Sequence, residues 1–309
     1  MSANKQIQNK NEAPMSALKN RINSISNTTK GIFFIILSAF CFSLMSLFIR
    51  LSGNLPVFQK AMFRNGIATI VAFFALLKSG SFKMQKGNLP ALLLRSIFGA
   101  IGVVGNFYAI DHMNIADASI LNKLAPFFSV ACSAILLKEK ASKTDWLLIA
   151  LAFFGALFVI KPSFDFTQTL PAIVGVIGGL CSGVAYTYVH YLGKKGERTA
   201  FIVFFFSLFS TITMLPLAIM QFQPMELWQI GILLLAGCAA SGAQFSLTAA
   251  YSYAPAKEIS VFDYSQVLFT AMWGFFLLQI PDLLSVIGYV IIITAAALKT
   301  FFAKRNAKK

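Results

Sequence analysis

Charge is scarce in this 309-residue chain: 12% of its residues are Asp, Glu, Lys or Arg, and acids number 11 against 26 bases. Soluble domains carry about 25% charged residues, so water is excluded as the main solvent of the folded chain. Histidine is scarcer, with His112 and His190 in separate segments and no HExxH-like spacing, which excludes a histidine-built metal centre. The four cysteines (Cys41, Cys132, Cys181, Cys238) lie in apolar runs without CxxC spacing, so neither a disulfide framework nor a zinc site is indicated. No cofactor motif is present. The first thirty residues lack an apolar stretch that could serve as a signal-peptide core; residues 1–30 read as a disordered cytoplasmic tail.

Hydrophobic residues are plentiful, at 57% of the chain. A helix needs about 20 apolar residues to cross the hydrocarbon core, and such runs occur at 31–49, 57–77, 91–110, 115–137, 146–160, 171–192, 200–220, 229–250, 258–279 and 283–302. The net charge of +15 is spread between these runs and not over one basic face, so it points to a lipid bilayer and not to nucleic acid. Most of the basic residues fall in the amino-terminal stretch, at 78–95, 138–143, 194–198 and 257, and after 299. By the positive-inside rule these segments are cytoplasmic, as are both termini, while 50–56, 161–170 and 221–226 are external. The expected location is a bacterial-type cell membrane.

The starts of the first five runs recur in the last five at an offset of about 140 residues. Five is odd, so the second half enters the membrane from the opposite side. The expected fold is therefore an all-α integral membrane protein of ten transmembrane helices, built as two inverted five-helix repeats (31–160 and 171–302) with a basic tail at 303–309. Many secondary transporters have this architecture, with substrate held where the repeats meet.

Particular residues sharpen the picture. Pro56 and Arg64 open the second run, and the fourth reads Ala-Asp-Ala-Ser-Ile-Leu-Asn-Lys-Leu-Ala-Pro before closing on Leu-Leu-Lys-Glu-Lys. With the duplicated layout, this resembles the EamA-like members of the drug/metabolite transporter superfamily over roughly 31–302. The resemblance implies a cavity lined by the third, fourth, eighth and ninth helices, and substrates such as amino acids, amines and related metabolites, commonly exported. Small multidrug exporters of that superfamily couple to protons through a Glu in the first helix, but neither 31–49 nor 171–192 holds an acid. Glu139, which closes the fourth helix, is matched by Gln279 in the second half.

An ionisable group at mid-membrane costs about 2.5–3.5 kcal/mol. Lys123 and Asp263 lie well inside runs and at equivalent places of the two repeats. At 1.5 Å per residue they stand about 12 Å apart along the membrane normal, too far for a direct ion pair unless the lysine stem extends. Each sits on a polar stripe, Ser119–Asn122–Lys123–Pro126 and Ser260–Asp263–Gln266–Thr270, and Pro126 invites a kink. One reading is a substrate site in which Lys123 holds an anionic group and Asp263 binds an amine or takes a coupling proton. The other is a charge pair that fixes helix packing. Asn106 and Gln244, on helices given to the cavity by the resemblance, serve either as its walls or as interhelical hydrogen bonds. Tyr264, Tyr186 and His190 line the cavity or, for the last two, join an aromatic belt. The runs Gly99–Gly102–Gly105 and Gly237–Ala240–Ser241 point to close helix packing. The expected activity is secondary transport of a small polar metabolite by alternating access; a polar-lined channel and a membrane-embedded enzyme are the alternatives.

Overall fold

The structure is a computed structural model and describes residues 26–80, 82–112, 115–160, 169–276 and 282–306. Twelve helices follow one another: α1 (Asn27–Leu51), α2 (Val57–Lys78), α3 (Leu89–His112), α4 (Ile115–Asn122), α5 (Ala125–Leu136), α6 (Lys143–Ile160), α7 (Thr169–Lys194), α8 (Thr199–Met220), α9 (Leu227–Tyr253), α10 (Ala256–Asp263), α11 (Ser265–Phe276) and α12 (Leu283–Asn306). Among the described residues nine segments are long and apolar enough to cross a membrane, the fourth running unbroken by that measure over Ser119–Leu136. The tenth is α10 with α11, whose continuation at 277–281 lies outside the described residues.

Local chemistry sets the helix ends. Ser26 caps α1 by accepting the Thr29 amide, so the first helix begins at Asn27, inside the stretch 1–30 expected to be a tail. Glu226 and Gln229 form a reciprocal capping box that starts α9. At the other end α12 runs to Asn306, into the stretch assigned to the basic tail. Residues 1–25, 161–168, Gln279 and 307–309 lie outside the described residues.

The packing repeats itself under the 140-residue offset. Helix α1 lies along α9, and α3 lies along α7, the equivalent pair from opposite repeats. Helices α2 with α8, and α6 with α12, are each other's equivalents and pair directly. Loops obey the same rule. At the start of α2, Gln59 Nε2 donates to the Gln223 carbonyl over 3.0 Å and its Oε1 accepts the Gln223 amide. At the start of α8, Glu197 accepts the Gln85 amide at 3.0 Å and Asn88 Nδ2 at 2.9 Å. Thr28 with Glu258, Lys257 with the Lys140 carbonyl, and Lys299 with Asp145 gather the outer ends of α1 and α12 at one end of the bundle.

Lipid offers no hydrophobic drive for helices to associate, so close contact must supply it. A Cβ on Gly105 would lie 3.0 Å from the Gly178 Cα, which lets α3 and α7 touch backbone to backbone. Gly155 and Gly288 do the same for α6 and α12. In the α1–α9 seam Ser38 Oγ donates to the Ala243 carbonyl over 2.9 Å.

Candidate functional site

The fourth and ninth spans are interrupted at equivalent places. Helix α4 stops at Asn122 and α5 starts at Ala125; α10 stops at Asp263 and α11 starts at Ser265. Pro126 stands in the first turn of α5 and lacks the N–H that would reach the Asn122 carbonyl. Helix α7 crosses this break with glycines: a Cβ on Gly179 would lie 2.8 Å from the Leu121 carbonyl oxygen, and one on Gly183 would lie 2.6 Å from the Phe128 Cβ.

Lys123 and Asp263 are the residues at the two breaks. Lys123 Nζ donates to Gln266 Oε1 over 2.7 Å and to Asp263 Oδ2 over 3.3 Å. The expected separation of about 12 Å is therefore corrected for the side chains: the lysine stem extends and closes the gap. Both side chains are nearly buried, at 10% and 13% exposure. Fully buried Tyr264 donates its hydroxyl to the Lys123 carbonyl at 2.9 Å. Beneath the pair, Ser129 Oγ lies 3.1 Å from Ser260 Oγ and 3.5 Å from the Tyr251 hydroxyl, and Tyr186 stacks on Tyr251 with ring centroids 5.1 Å apart.

The other expected residues divide. Gln266 joins the pair directly. Ser119 and Asn122 are partly buried on the last turns of α4, where the Lys123 amide donates to the Ser119 carbonyl. Thr270 is exposed and donates to the Gln266 carbonyl. Asn106 stands where α3 presses on Gly178, and Gln244 is buried on α9 with its Oε1 unpartnered; among the described residues no hydrogen bond ties either to the pair. His190 is buried, with Nδ1 2.6 Å from the Tyr251 carbonyl and Nε2 3.1 Å from Glu139. Lys194 donates to the same Glu139 oxygen at 2.9 Å, so His190 belongs to a latch at the bundle end that carries the outer ends of α1 and α12.

Arg95, from the basic segment 78–95 assigned to the cytoplasm, is instead buried, and so is Arg64 on α2. Arg64 is 9% exposed and Arg95 2%. The Arg95 guanidinium lies 3.9 Å from the centre of the Phe206 ring, and Arg64 lies 5.8 Å from that of Phe42. The spacing of Arg95 and Gly99 was the available signal, because a Cβ on Gly99 would collide with Arg95 Nη1.

Two five-helix repeats that meet through broken helices bearing opposite charges define a duplicated membrane transporter. The family model of the EamA-like transporter family matches residues 29–161 and again 169–301, and the chain belongs to that family. It is 32% identical over 268 residues to the pseudopaline exporter CntI of Pseudomonas aeruginosa strain UCBPP-PA14, covering 86% of this chain and 94% of that one. An uncharacterized transporter of Helicobacter pylori strain 26695 is 24% identical over 283 residues, covering 87% and 93%. Mouse solute carrier family 35 member G1 is 31% identical over 137 residues, 44% of this chain and 37% of that one. A crystal structure at 16% identity superposes with a TM-score of 0.75 over 90% of this chain and 98% of its own, which shows the fold. The protein is a multi-pass membrane protein and a secondary transporter of small metabolites, not an enzyme.

Proposed function

We propose that the chain exports a small polar metabolite, an amino acid, amine or related compound, by alternately exposing the junction of α4–α5 with α10–α11 to the two faces of the cell membrane. One observation carries this reading: the two helix breaks and the two charges coincide, at equivalent places of opposite repeats. Interrupted backbone at membrane depth is tolerated only where it is buried in protein or lines a hydrated cavity, and transporters place substrate there. Lys123 holds the substrate carboxylate. In the empty site Asp263 neutralises Lys123; a proton or a substrate amine on Asp263 releases the ammonium for the carboxylate, which supplies a coupling step. The basic residues favour cytoplasmic termini, and the Pseudomonas relative's role as an exporter favours the outward direction.

The test is the double variant Lys123→Gln with Asp263→Asn, which removes both charges and keeps groups able to hydrogen-bond. Purified protein is melted against amino acids, monoamines and monocarboxylates; a ligand at 100 times its Kd adds about 2.7 kcal/mol. At least one class stabilises the wild type and none stabilises the variant, whose unliganded Tm stays close to wild type. A double variant that binds like wild type refutes the site.

A further inference from the structure

We infer that Arg64 and Arg95 form an anion subsite separate from Lys123, so that the transported substrate carries at least two carboxylates. This rests on the transport site proposed above and extends it to the class of substrate.

A buried charge is tolerated when it is paired, and an unpaired one is costly. Among the described residues, neither guanidinium makes an ion pair, and the Nε of each has no hydrogen-bond partner. Asp263, the described carboxylate at mid-span, is taken by Lys123. The charge of Arg64 reaches Arg95, which adds to the cost of burying Arg95. Lys299 is paired with Asp145 and Glu197 accepts from Asn88, so the buried cations Arg64, Arg95 and Lys123 are left with one described acid, Asp263.

The surroundings are prepared for a ligand. Stacking on Phe206 holds the Arg95 guanidinium by its face and leaves its edge for a bidentate carboxylate. Buried polar atoms are nearly always paired in native proteins, yet Ser207 and Ser210 on α8, and Gln244 and Thr248 on α9, also have buried oxygens without partners. Helices α8 and α9 both pack on α2, which carries Arg64, and α8 packs on α3, which carries Arg95. Unmet hydrogen-bonding capacity therefore falls on the helices that pack against those carrying the arginines, where the Ser207, Ser210 and Thr248 hydroxyls can donate to carboxylate oxygens and the Gln244 Oε1 can accept from a protonated group.

The experiment measures thermal unfolding of the full purified chain with the α,ω-dicarboxylates from succinate to suberate, each beside the monocarboxylate of equal length, and with sodium chloride. At least one dicarboxylate binds about tenfold or more tighter than its monocarboxylate, the gain from a charge-assisted hydrogen bond. Arg64→Gln and Arg95→Gln each erase that advantage and leave monocarboxylate affinity unchanged. Their unliganded Tm equals or exceeds that of wild type, because each removes an unpaired buried cation; a lowered Tm with lost binding assigns the arginines to structure and overturns the proposal. No dicarboxylate advantage, an advantage that survives in both variants, or saturation by chloride alone also overturns it. Lys123→Gln that leaves all affinities unchanged refutes the Lys123 site, while the arginine result is read independently.

Discussion

Tyr264 donates its hydroxyl to the Lys123 carbonyl over 2.9 Å, so the residue at the break of one repeat caps the broken backbone of the other. The first interruption is thus tied to the second through its backbone, beside the side-chain bonds from Lys123 to Asp263 and Gln266.

Tyr264→Phe removes the cap and leaves a carbonyl buried without its donor, at a cost of about 1–3 kcal/mol. The expected result is a lower Tm for the purified variant with helix content unchanged by circular dichroism. An unchanged Tm would show that the hydroxyl bond does not secure the break.

Glycines at the crossing of α7 with the fourth span are expected to resist substitution. Gly183→Ala places a methyl group 2.6 Å from the Phe128 Cβ and 2.7 Å from the Ser129 amide nitrogen, and overpacking of this kind costs about 1–3 kcal/mol. Gly231, on α9, has nothing within 4 Å of its would-be Cβ, so Gly231→Ala leaves Tm unchanged or raises it through better helix propensity. Equal melting of the two variants would contradict the close crossing.

The Glu139 latch predicts a pH dependence. Burial pushes the Glu139 carboxyl up, but the hydrogen bond from Lys194 and the adjacent His190 outweigh it and hold the group below its ordinary value. A depressed folded pKa gives stabilisation that is full above the unfolded value, about 4.3, and fades as pH falls through the folded one. Glu139→Gln therefore melts below wild type near neutrality, and the two curves converge in acid. A gap that stays undiminished in strong acid, where the carboxyl is protonated in both states, would mean that the charge is not what holds the latch.

Orientation is tested with single cysteines in a background freed of Cys41, Cys132, Cys181 and Cys238. Pro224→Cys, between α8 and α9, is expected to react with an impermeant thiol reagent on intact cells, and Lys195→Cys, after α7, only after lysis. The reverse pattern would place the termini outside.

The sequence carried the layout because hydropathy is a one-dimensional signal: ten runs, their duplication, and the relation of Lys123 to Asp263 need only spacing. It did not carry the breaks at 123–124 and 264, since the apolar runs 115–137 and 258–279 continue straight through them. Pro126 hinted at the first, and nothing comparable marks the second. Arg95 was misread for the same reason, as counting along a run assigns any charge near its end to water, whereas a long side chain can turn inward from the second turn of a helix, as that of Arg64 also does. Gly99 was read with Gly102 and Gly105 as a packing stripe. The latter two do pack on α7, while Gly99 makes room for Arg95.

The exchange of partners between repeats has a consequence for biosynthesis. Ser38 of α1 bonds to Ala243 of α9, 205 residues later, and ribosomes add about 5–20 residues per second. The first helix therefore waits on the order of 10–40 s for the neighbour against which it finally rests. During that interval Arg64 and Arg95 enter the bilayer before α8 and α9 exist to surround them, and Lys123 before Asp263 has been made. Assembly of the newborn chain must thus shelter three cations from lipid until translation is nearly complete, a task for the insertion machinery and not for the finished fold.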